Sequence, residues 1–486
     1  MESQPTFDLI PALPEVLLFV SGLALLVLGS LRERHAAGLV TPLAVLALIV
    51  AAVLVIAADK TAAPILGGHF VFDRFAAFLK VVILAVSASC ILLSRGFLQD
   101  HEMDRFEFPL LILFSSLGMC MMVSANSLLA LYVALELQSL SLYVMAAFNR
   151  DQLRSTEAGL KYFVLGALAS GMLLYGCSLI YGFTGTLSFT VIAETLGAIG
   201  SPTASLSLGA LVGLVFVAVG LAFKLSAVPF HMWTPDVYEG APTPVTTFFA
   251  VAPKMAAIGL LLRVLMQPFG AVAGEWQQII VFISVASMLL GGFAGIGQTN
   301  IKRLLAYSAI GHIGYAMVGL AAGTERGIYS VLIYMTIYLV MTLGIFTGVL
   351  MMRRQGRYIE SIDELAGLSQ RQPMLALGFA IFLFSLAGIP PLAGFFGKLY
   401  VFMAAIDAGL TLLAVIAVLT SVVAAFYYLR IVKVMYFDAP AEAFDRPARM
   451  ELQAILTVCA VLVLGFILIP GPLLATAQTA AAALMP

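Results

Sequence analysis

Charge is scarce in this sequence. Lysine, arginine, aspartate and glutamate make up 10% of the 486 residues, against 62% hydrophobic ones, and the mean hydropathy is +1.06. That balance excludes a soluble globular protein and implies a polytopic membrane protein. Basic clusters of useful size are lacking, so nucleic acid is excluded as a partner. The four cysteines, Cys90, Cys120, Cys177 and Cys459, stand singly in apolar segments. With no CxxC pair, they are read as packing residues rather than metal or redox groups. No glycine-rich phosphate loop follows a strand, so no nucleotide, flavin or metal site is expected in this chain. The opening residues, MESQPTFDLIPALPEV, have neither a basic n-region nor a small-residue cleavage site, so the first apolar run is expected to be a retained helix.

What the sequence does have is length of apolar run. Windows of about twenty apolar residues recur at 11–31, 38–58, 73–94, 106–124, 126–148, 157–183, 206–238, 242–266, 276–297, 302–322, 326–353, 372–405, 408–437 and 450–474. The expected fold is therefore all-α and polytopic, with about fourteen transmembrane helices. Basic residues set the orientation. Arg32, Arg34, Arg150, Arg154, Lys302, Arg303, Arg353, Arg354, Arg357, Arg446 and Arg449 follow odd-numbered helices, whereas even-numbered ones are followed by little beyond Lys60, Arg74 and Arg326. Odd loops are thus expected on the cytoplasmic side of the inner membrane and both termini on the periplasmic side.

The seventh and twelfth runs are over-long and carry prolines near their middles, Pro229 in one and Pro390 with Pro391 in the other. A broken helix at membrane depth is tolerated only where protein or a watery cavity satisfies the freed backbone groups. Helices 4–8 (106–266) and 9–13 (276–437) have similar lengths, and each set places its broken helix fourth. Five is odd, so the second set enters from the opposite side. Two inverted five-helix repeats are expected, flanked by an N-terminal unit (1–105) and a C-terminal helix and tail (450–486), a construction that places ion sites at discontinuous helices.

Few ionisable groups lie inside the apolar runs. Glu136 stands in the fifth helix, Lys224 in the seventh, Lys254 in the eighth beside Pro253, and Lys398 in the twelfth. His231 follows the Pro229 break, and His312 lies in the tenth helix. A central lysine costs roughly 2.5–3.5 kcal/mol on insertion scales, so such residues point to function. The bland readings are a structural ion pair, or lysines near helix ends that snorkel. Snorkelling suits Lys80 and Lys161, and a hydrogen bond between helices suits His312. For an acid and three lysines at mid-depth, a proton path fits better. Burial disfavours a lysine's charge and a nearby carboxylate restores it, so a Glu136–Lys224 pair would hold its proton when close and lose it when apart. A swing of about three pKa units is worth roughly 4 kcal/mol, the scale of the roughly 2.3 kcal/mol needed to move one charge against 100 mV.

Four stretches, LELQSLSLYVMAAF, KLSAVPFHMWTPDVYEGAPTPVTTFFAVAPK, QTNIKRLLAYSAIGHIGY and FSLAGIPPLAGFFGKLYVF, together resemble the antiporter-like membrane subunits of respiratory complex I, and the resemblance spans essentially the whole chain. The ELQSLSLYV run, a lysine at 398 where one branch of the family uses glutamate, and a chain that stops soon after its fourteenth helix narrow it to one branch. The resemblance implies that Glu136 and Lys224 form a mobile ion pair, that Lys254 is the central relay group, and that Lys398 serves the second half-channel. It further implies His231 as a link between Lys224 and Lys254, and a supporting role for Lys161. The implied partners are neighbouring membrane subunits such as K and M, the lipid bilayer, and a peripheral arm holding FMN and iron–sulfur clusters. NADH and quinone would be substrates of the complex, this chain carrying protons and no redox centre. The alternatives are a subunit of a multi-component cation/proton antiporter and a purely structural scaffold.

Overall fold

The computed structural model describes residues 10–32, 36–60, 62–199, 207–445 and 449–485. The opening segment through residue 9, together with Arg34 and Arg446 of the orientation argument, lies outside the described residues. Helices α1 (Leu13–Arg32), α2 (Ala36–Ala57), α3 (Arg74–Asp100), α4 (Glu107–Val123), α5 (Leu128–Ala146) and α6 (Leu153–Thr184) follow the first six expected runs closely. A short helix, α7 (Phe189–Ile199), occupies what the sequence suggested was loop. Next come α8 (Leu208–Leu225), α9 (Trp233–Gly240), α10 (Thr243–Ala250), α11 (Ala252–Met266), α12 (Ala273–Ile296), α13 (Ile301–Ala321) and α14 (Glu325–Met351). The chain ends with α15 (Leu368–Arg371), α16 (Pro373–Ala387), α17 (Ala393–Asp407), α18 (Thr411–Phe437), α19 (Met450–Gly465) and α20 (Gly471–Ala482). Among the described residues, 11 helical segments are long and apolar enough to cross a membrane, and Glu107–Val123, Pro373–Ala387 and Met450–Gly465 are shorter apolar helices. This is an all-α, multi-pass membrane fold. Among the described residues the strands form two small antiparallel hairpins, β1 (Pro64–Ile65) with β2 (Phe70–Val71) and β3 (Arg353–Arg354) with β4 (Arg357–Tyr358).

Polar side chains set the helix starts. Asp73 accepts from the Ala76 amide at 2.7 Å, Ser127 from Ala130, Thr324 from Gly327, and Asn300 from both Lys302 and Arg303. Each satisfies an amide that has no partner within its own helix. Every residue of α10 and α11 is buried, and α13 is nearly so. Helices α1, α2 and α6 instead turn large apolar side chains such as Val20, Val53 and Leu168 outward, as a lipid-facing rim requires.

The seventh expected helix is broken between α8 and α9, and the twelfth between α16 and α17. Both breaks begin with the same left-handed closure. Ser226 (φ 63°) and Gly388 (φ 87°) take the cap position. The Ser226 amide donates to Phe223 O at 3.0 Å and the Ala227 amide to Ala222 O at 2.9 Å. The Gly388 amide donates to Ser385 O at 3.0 Å and the Ile389 amide to Phe384 O at 3.0 Å. This reciprocal pattern ties up the last carbonyls of a helix. Glycine adopts the conformation freely, whereas at Ser226 it costs roughly 1–2 kcal/mol.

The eighth run is not one helix, as the sequence suggested, but two, α10 and α11, interrupted at Val251 (φ −116°, ψ −89°). Pro253 explains the interruption, since it has no N–H to donate and its ring collides with the carbonyl four residues back.

Candidate functional site

Lys224 lies in the last turn of α8 and reaches across to α5. Its Nζ donates to Ser139 Oγ at 2.6 Å and to Tyr143 OH at 3.1 Å. Glu136, Ser139 and Tyr143 stand at i, i+3 and i+7 of α5 and share one face. Gly166 on α6 leaves the space that the Tyr143 hydroxyl fills, where a Cβ would collide. The Glu136 carboxylate accepts instead from Ser170 Oγ on α6. No ion pair joins Glu136 to Lys224 among the described residues; the lysine instead meets Ser139, one turn along the same helix from Glu136.

Lys254 sits in the first turn of α11, an unfavourable place for a cation at its own helix's positive end. It turns away to the end of α8, where Nζ donates to Leu225 O at 2.8 Å and to Ser226 Oγ. The Trp233 ring lies beneath it at 5.4 Å. Lys398 does the same for α16. Its Nζ donates to Leu386 O at 2.9 Å, Ala387 O at 3.0 Å and Ser421 Oγ at 2.8 Å, over the Tyr315 ring at 5.0 Å. Each broken helix thus ends on an ammonium that meets carbonyls carrying the negative end of its dipole.

These three lysines are only 6%, 1% and 5% exposed. Among the described residues, no carboxylate pairs with any of them; hydroxyls, carbonyls and aromatic faces surround them. The other buried cations among the described residues are paired. Arg263 bonds Asp73 at 2.9 Å and Lys80 bonds Glu15 at 2.6 Å. Lys302 bonds Glu360 at 2.9 Å, together with the carbonyls of Glu239 and Ala241. The snorkelling assignment for Lys80 is therefore wrong. Its head is buried, and its partner comes from α1, far away in sequence. Lys302, counted among loop charges, is likewise buried.

His312 hydrogen-bonds Tyr334 OH through Nδ1 at 2.6 Å and Tyr428 OH through Nε2 at 3.1 Å, and Ser308 meets the same Tyr428 hydroxyl at 2.5 Å. This agrees with a hydrogen bond between helices. His231 contacts neither Lys224 nor Lys254 in any hydrogen bond among the described residues, and its Nδ1 has no hydrogen-bond partner. Lys161 is part-exposed in a surface cluster, pairing with Glu157 and Asp236 at 2.7 Å each. Asp236 also binds Arg303 at 2.8 Å, and Arg303 binds Glu239 at 2.9 Å. Beside this cluster opens a polar cavity of about 700 Å³, lined among others by Asp100, His101, Arg154, Glu239, Lys302 and Glu360. Outside the membrane helices, Glu360 has its carboxyl held below the ordinary value of 4.5. Burial opposes its charge, but the Lys302 ammonium and the Asn300 amide outweigh that.

Comparison with known proteins places this geometry. Residues 125–424 match the family model described as NADH:quinone oxidoreductase/Mrp antiporter, TM. NADH-quinone oxidoreductase subunit N of Parvibaculum lavamentivorans is 59% identical over 481 residues, covering 99% of this chain and 98% of the relative. The chain belongs to the subunit N family of NADH-quinone oxidoreductases. A chain of respiratory complex I from Thermus thermophilus superposes with a TM-score of 0.81 at 34% identity, covering 95% of this chain and 98% of that one. A chain of the Mrp complex from Dietzia sp. has a TM-score of 0.83 but only 23% identity, covering 98% of each, a likeness of fold alone. The antiporter alternative gives way to the subunit N family. The protein is a proton-translocating membrane subunit within a complex of other membrane subunits.

Proposed function

We propose that protons cross this subunit on a relay of Glu136, Lys224, Lys254 and Lys398, driven by NADH-to-quinone electron transfer in other subunits. One observation carries the reading: three buried ammonium groups are solvated by neutral oxygens and rings, whereas Lys80, Arg263 and Lys302 are pinned by carboxylates. A cation held without a counter-ion gives up and regains its proton with no buried anion left behind, which a structural ion pair cannot do.

In this reading Lys224 is loaded from the Glu136 face of α5, through Ser139 and Tyr143. Lys254 receives the proton at the end of α8 and passes it on toward Lys398. His231 supports the step between Lys224 and Lys254. Lys161 acts at the surface, orienting Asp236 beside the polar cavity. The division into inverted repeats 106–266 and 276–437, with flanking units 1–105 and 450–486, is supported by the matched closures at Ser226 and Gly388. The subunit would lie in the bacterial inner membrane with both termini periplasmic, next to subunits such as K and M. FMN and iron–sulfur clusters would be held by the peripheral arm, with no redox centre in this chain.

The test is Lys224→Met in the native organism, with assembly checked on a native gel and NADH-driven proton uptake measured in inverted vesicles. Loss of pumping in an assembled complex is expected. Normal pumping would overturn the relay and return the buried lysines to a structural role.

A further inference from the structure

Lys224 and Lys254 come from different helices, and two aromatic rings lie between their head groups. Tyr162 of α6 and Trp233 of α9 stack with centroids 4.4 Å apart and planes 16° from parallel. The Lys224 nitrogen lies 5.8 Å from the Tyr162 centroid, and the Lys254 nitrogen 5.4 Å from the Trp233 centroid. The inner faces of the stack are occupied by one another, so the two cations lie over its outer faces. Both rings are 2% exposed.

The stack is held from several directions. Trp233 Nε1 donates to Phe223 O at 3.0 Å, next in sequence to Lys224. Tyr143, itself a ligand of Lys224, meets Tyr162 edge-on at 4.8 Å, and Phe249 lies against it at 5.5 Å. Phe223 flanks Trp233 at 5.7 Å. Offset-stacked and edge-to-face contacts of this kind fix ring planes as well as burying area.

We propose that the Tyr162–Trp233 stack is a partition between Lys224 and Lys254, an aromatic plate that holds one ammonium on each outer face and excludes water from the direct line between them. The two rings are positioning residues that act through the lysines. Each face attracts the cation over it through the ring quadrupole, so the plate favours a proton on either lysine. It also bars a water file on the direct line in both directions, so that proton passage between the two lysines is confined to a route around the plate. The inference rests on the relay proposed above.

The test compares Trp233→Leu and Tyr162→Leu, which remove a ring face, with Trp233→Phe and Tyr162→Phe, which keep one. Lys224→Met is carried alongside. Protons pumped per NADH, NADH oxidation rate and passive proton leak are measured in inverted vesicles containing assembled complex. The leucine variants should lower the pumped protons per NADH while NADH oxidation continues and leak rises, because the lost ring–cation contact is a desolvated one. Tyr162→Phe should stay near wild type, a rescue that a purely volumetric role would not distinguish from leucine, whereas Trp233→Phe keeps a ring face but also loses the donor to Phe223 O. If Trp233→Leu fails to assemble, Tyr162→Leu reads the same plate from its other ring. Leucine variants that pump normally, or Tyr162→Phe as impaired as Tyr162→Leu, would overturn the partition. Normal pumping by Lys224→Met would instead overturn the relay itself.

Discussion

The ammonium of Lys254 and the carbonyl of Leu225 meet at 2.8 Å, so a side chain from the eighth membrane crossing terminates the first half of the seventh. A carbonyl at a helix end needs a partner when buried, and here that partner is a group whose charge comes and goes in the proposed relay. Lys254→Met should slow proton transfer through this chain by roughly 10²–10⁴-fold, the scale for losing a positioned proton-transfer group. NADH-driven uptake into vesicles measures the loss, and a native gel should show intact assembly. Unchanged pumping would show that Lys254 serves only as a cap.

Lys80 should behave in the opposite way. Its partner Glu15 is largely buried at 2.6 Å, and removing one member of a buried pair costs about 3–5 kcal/mol because the other is left uncompensated. Lys80→Ala should therefore reduce the amount of assembled complex, and Lys80→Met with Glu15→Gln should restore much of it. Quantitative native gels with pumping normalised to assembled protein separate this from a relay defect. Normalised pumping should remain near wild type.

Ser139, one turn from Glu136 on α5, accepts the shorter of the two side-chain hydrogen bonds of Lys224, 2.6 Å. A hydrogen bond to a charged group is worth about 1.5–3 kcal/mol. Ser139→Ala should impair pumping with NADH oxidation retained, and Ser139→Thr should recover it. Glu136→Gln should also lower pumping. Because both residues act on one lysine, the double variant should lose less than the two single losses combined; full additivity would separate Glu136 from Lys224.

Much of this was legible in the sequence. Apolar run length gave the crossings because a helix must span the hydrocarbon core, and the over-long runs with Pro229 and Pro391 gave the two breaks. The buried lysines stood out because few other charges lie in those runs. What stayed hidden was pairing at long range. Glu15 with Lys80 and Asp73 with Arg263 join segments far apart in the chain, and periodicity carries no information on partners. The hydroxyls of Ser139 and Tyr143 were within reach, since their spacing from Glu136 places all three on one helix face. The interruption at Val251 was also signalled, by Pro253, but an unbroken apolar run masked it. Trp233 and Tyr162 meet only through tertiary packing.

Glu360 gives a pH dependence whose sign can be worked out. Its folded carboxyl titrates below the ordinary 4.5, so the folded state favours the charged form. The stabilisation is present above 4.5 and is lost as pH falls through the lowered folded value. Thermal melting of the detergent-purified complex should show a decline on acidification below about pH 4.5 that is blunted in Glu360→Gln. The variant should also be less stable at neutral pH, because Lys302 then keeps only its carbonyl and amide neighbours. Identical pH profiles would mean that this pair contributes nothing.

Orientation can be tested at the tip of the β3–β4 hairpin. The loop holding Arg353, Arg354 and Arg357 follows an odd-numbered crossing, and an excess of basic residues on such loops is expected of the cytoplasmic side. Arg357 is exposed, and the four native cysteines are buried, so a thiol placed there is the accessible one in this chain. Arg357→Cys should react with a membrane-impermeant maleimide in inverted vesicles and resist it in intact spheroplasts. Asp59, exposed after the second crossing, should give the reverse pattern as Asp59→Cys. The pair of reagent accessibilities fixes the direction in which the Glu136 and Lys398 ends of the relay face. Labelling of Arg357→Cys from the outer side would invert the subunit, and with it the side on which the 700 Å³ polar cavity opens.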